Sequence, residues 1–132
     1  MSTAPAPVSQ ALDINYAMLY VDNPPASAAF YAGLLGKPAI EVSPTFALFA
    51  MASGLMFGLW SKHSVEPKSS GAIGGAEIAI KVDGAEAVRT THVDWVKRGL
   101  TIAQAPTAMD FGTTFVALDP DGHRLRVFAT AE

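Results

Sequence analysis

The chain repeats itself, and that limits its possible folds more than any other feature. Tyr16-Ala-Met-Leu-Tyr-Val-Asp22 and Glu77-Ile-Ala-Ile-Lys-Val-Asp83 both alternate in side-chain character and both end in Val-Asp, 61 residues apart. Each is followed by a stretch with helical spacing that stops at a glycine, Gly36 or Gly99. Each copy then closes with a strand, a turn ending in glycine (Gly54 or Gly122) and a last strand. The late landmarks lie 68 residues apart, so the second copy carries a short insertion. Two copies of one small unit imply that neither buries its apolar faces alone. The repeat divides the chain into a loose leader over 1–11, a first module over 12–61, a polar linker over 62–74 and a second module over 75–132. Together they form one domain of 132 residues.

Local signals predict the same order, β-α-β-β-β, in each module. Asn23 is a good N-cap, Pro24 fits the first helical position, Gly36 supplies the left-handed stop and Pro38 blocks continuation. Ala26, Ala29, Phe30, Gly33 and Leu34 recur at helical spacing and are the predicted stripe of the first helix. In the second helix Ala85, Val88, His92, Trp95 and Val96 share one face. Strand alternation places Ala17, Leu19 and Val21 opposite Tyr16, Met18 and Tyr20. It likewise sets Ile78, Ile80 and Val82 against Glu77, Ala79 and Lys81, and Leu125 and Val127 against Arg124, Arg126 and Phe128. Asp119-Pro-Asp-Gly122 has the residue order of a tight hairpin turn.

Each sheet therefore has one apolar face for its helix and a second face left over. The second face carries Tyr16, Met18, Tyr20, Phe46, Met56, Trp60, Glu77, Lys81, Arg124, Arg126 and Phe128. That set is too mixed for a dry core and too aromatic for plain solvent. A concave surface lined this way suits a flat, partly polar organic ligand, with aromatic area for contact and charge for orientation. Asp110 and Phe111 precede a strand and either overhang this cleft or form an ordinary connecting loop. Met18 and Met56 read as adaptable lining. Of the histidines, His92 reads as core, His63 as solvated, and His123 as facing the helix layer or solvent.

Composition excludes other classes. Half the residues are hydrophobic and 16% are charged, so the chain has material for a core. Nine Lys and Arg against 12 Asp and Glu, with no basic run, argue against a nucleic-acid partner. The lack of cysteine removes disulfides, thiolate metal sites and Cys nucleophiles, and fits a reducing compartment. No run of apolar residues is long enough for a spanning helix, and the first ten residues do not read as a signal peptide, so the expected address is the cytoplasm without membrane attachment. Nucleophile-elbow, phosphate-loop and zinc-protease motifs are all missing, and Gly71-Ala-Ile-Gly-Gly75 lies in a linker where it makes a poor phosphate cradle.

Leu-Tyr-Val-Asp-Asn-Pro (19–24), Ala-Phe-Tyr (29–31), Leu-Leu-Gly (34–36) and Asp-Pro-Asp-Gly-His (119–123) resemble the vicinal oxygen chelate superfamily, the glyoxalase, bleomycin-resistance and extradiol dioxygenase group. The resemblance covers about residues 12 to 129. Within that group, Ser43-Pro44, Phe57-Gly-Leu-Trp-Ser61, Ala76-Glu-Ile-Ala-Ile80, Phe111-Gly-Thr-Thr-Phe115 and Asp119-Pro-Asp-Gly-His-Arg-Leu-Arg-Val127 are similar to phenazine-antibiotic resistance proteins. The resemblance implies an α+β fold of two βαβββ modules with curved mixed sheets and outer helices. It also implies a homodimer whose clefts sequester planar aromatic small molecules without chemistry. In that assembly Tyr16, Met18, Met56 and Trp60 would face Glu77, Arg126, Asp110 and Phe111 of a second copy. The superfamily's metalloenzymes place His, Gln or Glu at positions that fall here on Tyr16, Gly58, Glu77 and Arg126. Only Glu77 is a ready ligand, so no metal, no cofactor and no catalytic residue are expected. Glu77 and Arg126 are instead expected to pair across neighbouring strands, as a structural bridge, as the floor of the cleft, or as both. The alternative is a glyoxalase-type lyase or isomerase with Glu77 as base, or a dioxygenase-like enzyme of the same superfamily; a partner or regulatory module has no positive feature in its favour.

Overall fold

The protein is described by a computed structural model covering residues 11–69 and 71–131. All but the last residue of the expected leader lies outside the described residues. The first module is β1 (Tyr16–Val21), α1 (Pro24–Leu35), β2 (Glu41–Val42), β3 (Phe46–Ala50) and β4 (Met56–Ser61). The second is β5 (Glu77–Lys81), α2 (Ala85–Lys97), β6 (Thr101–Met109), β7 (Gly112–Leu118) and β8 (Arg124–Thr130). The sheets run β1-β4-β3-β2 and β5-β8-β7-β6. The first strand of each module lies parallel to the last, and the remaining pairs are antiparallel. The predicted α+β duplication is the fold. Among the described residues no helix is long and apolar enough to cross a membrane.

Alternation sorts the strands as expected. Leu19, Val21, Leu59, Leu125 and Val127 are buried in one core with Phe49, Phe57 and Phe115. At the start of α1 the Asn23 side chain accepts the Ala26 N–H, and Gly36 closes the helix at φ 71°. The face of α1 is a correction. Pro24, Ser27, Ala28 and Tyr31 are its buried residues, whereas Ala26, Ala29 and Gly33 are exposed and Phe30 and Leu34 half-buried. This helix is apolar on nearly every side, so spacing alone did not single out a stripe. In α2, Val88 and Trp95 are buried, but Val96 is half exposed. Being next to Trp95, it points about 100° around the helix, away from the sheet. His92 packs edge-on against Phe115 at 5.2 Å.

The buried face of α1 packs on β3 and β4 of its own sheet, with Tyr31 edge-on to Phe57, and the other module adds a polar tie. The Tyr31 hydroxyl donates to Asp119 Oδ2 at 2.7 Å. Asp119 Oδ1 accepts the backbone N–H groups of Asp121 and His123, and Asp121 Oδ1 accepts that of Asp22. His123 corrects the sequence reading. It is buried and donates from Nε2 to the Tyr20 carbonyl at 3.0 Å, so it faces edge strand β1 of the first module and not solvent. The 119–123 turn is thus the joint between the modules. The linker is also less polar in role than in composition. Val65 is buried, and Gly74, at φ 97°, lies so close to the Gly122 carbonyl that a side chain there would press on it.

Candidate functional site

The faces turned away from the helices carry the candidate residues in two groups. On the first sheet, Tyr16, Met18 and Tyr20 of β1 are exposed, while Met56 and Trp60 of β4 and Phe46 of β3 are half-buried. The register sets Tyr16 beside Met56, Met18 beside Gly58, and Tyr20 and Phe46 on either side of Trp60. Phe46 and Trp60 meet edge to face at 6.1 Å. The Met18 thioether lies over Gly58, in the space a Cβ would take, with Phe46 alongside. A glycine mid-strand therefore gives the methionine its seat. A cleft of about 240 Å³ opens between β1 and the segment leading to β5, lined in part by Met18, Tyr20 and His123.

On the second sheet, β5 and β8 run in parallel with Glu77 opposite Arg124 and Ala79 opposite Arg126. Arg126 nevertheless reaches diagonally to Glu77, with Nε 2.9 Å from Oε2 and Nη2 3.4 Å from Oε1. The expected ion pair is formed, as a two-pronged contact of the kind guanidinium makes with carboxylate. Arg126 also donates to the buried Thr114 hydroxyl at 3.2 Å, and that hydroxyl donates to the Val127 carbonyl. The Arg126 guanidinium carbon lies 5.9 Å from the centre of the Phe111 ring, which meets Phe128 edge-on. Phe111 stands in the two-residue turn joining β6 to β7 and does overhang this group. Asp110, its neighbour, is exposed, and no hydrogen bond or ion pair joins it to Arg126 among the described residues.

The two groups remain separate within one chain. Among the described residues no hydrogen bond, ion pair or aromatic contact joins the first-sheet set to the second-sheet set. Thr114 escaped the sequence reading because a buried threonine in a strand gives no local sign of function. His63, expected to be solvated, is exposed but holds Asp22 Oδ1 at 2.7 Å from Nε2, and this contact lowers the Asp22 carboxyl below its ordinary range.

The four positions at which the fold would seat a metal do not fit one. Tyr16 offers a phenol, Gly58 nothing, and Arg126 a permanent cation. Both oxygens of Glu77 already face that cation. A divalent ion held through protein side chains needs several donors, and this set supplies one carboxylate that is already engaged.

The duplicated modules, their crossed connections and this pair of open faces define the class. The sequence profile of the Glyoxalase/Bleomycin resistance protein/Dioxygenase superfamily matches residues 13–127, and the chain belongs to that superfamily. More particularly, it is 30% identical over 116 residues to the phenazine antibiotic resistance protein EhpR of Enterobacter agglomerans, covering 86% of this chain and 88% of that one. It is 49% identical to an Agrobacterium tumefaciens protein solved by NMR, with a TM-score of 0.84 over 92% of this chain and 100% of the other. A glyoxalase-related enzyme from Fulvimarina pelagi shares the fold at 20% identity and a TM-score of 0.77, over 89% of this chain and 88% of that one. The superfamily holds both enzymes and resistance proteins, and the EhpR relationship supports a resistance-type role.

Proposed function

We propose that this protein binds planar aromatic small molecules without a metal and acts by sequestration. One observation carries the reading: at the positions where the fold would collect metal ligands, a guanidinium and a carboxylate neutralise each other. The first-sheet face is otherwise aromatic or thioether surface, and Phe111 and Phe128 flank the pair on the second. Aromatic side chains give a flat ligand large contact area at small conformational cost, and methionine adapts its shape to fit. The similarity to EhpR supports a phenazine-like ligand. In the assembly we propose, two copies bring the first-sheet face of one chain against the second-sheet face of the other, so that each cleft has Trp60 and Tyr16 on one wall and Arg126 and Phe111 on the other. The exposure of large apolar side chains on both faces supports this arrangement, since a buried interface would cover them.

Fluorescence titration tests the proposal. Trp95 is buried in the second module, whereas Trp60 is half-buried beside Phe46. Phenazine should quench the emission of Trp60, and Trp60→Phe should remove most of the response while the Trp95 signal persists. Zinc or a chelator should leave the titration unchanged. Absence of quenching across a panel of phenazines and other planar heteroaromatics refutes aromatic binding, and a titration that requires zinc refutes metal independence.

A further inference from the structure

We infer that the second sheet recognises the carboxylate of an anionic aromatic ligand through Arg124, with the Gln104 side-chain amide as a second donor. This rests on the aromatic-binding reading above and narrows its ligand class. Strand β8 places Arg124 and Arg126 two residues apart and so on one face of the sheet. Both lie near Glu77, and the strand register sets Glu77 directly opposite Arg124. Even so, the Glu77 carboxylate goes to Arg126, which is also held by Thr114. One countercharge thus serves two guanidiniums.

Arg124 is the one left over. It is exposed and makes no ion pair or side-chain hydrogen bond among the described residues. It lines a cleft of about 340 Å³ together with Ala103, Gln104, Met109, Val116 and Arg126. The Gln104 amide nitrogen contacts the Met109 sulfur at 3.8 Å, a weak acceptor that a carboxylate oxygen displaces readily. Ala103 and Met109 offer exposed apolar surface beside these donors, above the buried Val116. A planar guanidinium fork matches a carboxylate in two hydrogen bonds, and a cleft of this size accepts part of a small ring system. The mixed wall favours a ring that carries an acid over a free inorganic anion.

Calorimetry with phenazine-1-carboxylate and its neutral carboxamide tests the inference, with inorganic phosphate as the ring-free control. The wild-type protein should bind the carboxylate about tenfold more tightly than the carboxamide, with the preference shrinking at high salt. Arg124→Gln, at an exposed position, should abolish the preference by lowering carboxylate affinity more than carboxamide affinity. Equal affinity for the two compounds in the wild type, or a preference that survives in Arg124→Gln, overturns the inference and leaves aromatic binding standing. Phosphate binding as tightly as the carboxylate overturns it as well. Failure of both phenazines to bind overturns this inference, while the fluorescence panel of planar heteroaromatics decides the aromatic-binding reading separately.

Discussion

Removing one oxygen atom at the joint between the modules should leave a measurable, pH-dependent mark. In Tyr31→Phe the ring remains and its edge contact with Phe57 is kept, so packing changes little. What goes is the 2.7 Å hydrogen bond to the Asp119 carboxylate, which retains two of its three donors in a buried site. A hydrogen bond to a charged group contributes about 1.5–3 kcal/mol, so a loss near 2 kcal/mol at pH 8 is expected. For a domain of this size that lowers Tm by roughly 6–10 °C. The pH dependence supplies the sharper test. Burial first, and then the Asp119 carboxylate, push the Tyr31 phenol far above its ordinary value of 10.0. A raised value means that the folded state keeps a proton the unfolded chain gives up. The contribution is therefore complete below pH 10 and lost as pH rises, at about 1.4 kcal/mol per unit. Phenylalanine carries no such proton. By pH 11 the gap between wild type and variant should narrow to about 0.6 kcal/mol. Urea unfolding of both proteins at pH 8 and pH 11 measures it. No gap at pH 8 would refute the hydrogen-bond argument, and a gap of unchanged size at pH 11 would refute the linkage argument.

Two glycine substitutions should have opposite signs. Gly112 sits at φ 143° and a Cβ there would overlap the Ala129 carbonyl, so Gly112→Ala should cost more than about 1 kcal/mol in urea unfolding. Gly33 lies within α1 with open space around it, so Gly33→Ala should gain about 0.5–1 kcal/mol in the same assay. At acid pH, His63 holds the Asp22 carboxyl below its ordinary 3.8, with Lys62 assisting. A lowered value means that the contribution is present above 3.8 and lost as pH falls through the folded-state value. Thermal melts in acid should accordingly show a shallower decline for Asp22→Asn than for wild type.

Much of this molecule was legible in its sequence because the relevant signals are local. Alternation along Tyr16–Val21 and Glu77–Lys81 needs only the pleat of a strand to sort side chains onto two faces. Asn23, Pro24 and Gly36 mark the ends of α1 through hydrogen bonds and dihedral angles within a few residues. The Glu77–Arg126 pair was reachable because the duplication aligns the first and last strands of each module, although the diagonal reach was not, since it depends on the parallel register.

Other features depend on residues that are distant in sequence, and these only the tertiary structure decided. The buried face of α1 was not legible because the helix is apolar nearly all round; packing on β3 and β4 selects it, and Asp119, 88 residues beyond Tyr31, takes the Tyr31 hydroxyl. His123 reads locally as a residue after a turn, yet its partner is the Tyr20 carbonyl of an edge strand in the other module. The seat of Met18 over Gly58 and the cleft that Arg124 and Gln104 line together are likewise products of sheet order. Local sequence sets which way a side chain points from its own strand or helix. Which partner it meets there depends on register and on how the two modules dock, and those follow from the burial of the whole core.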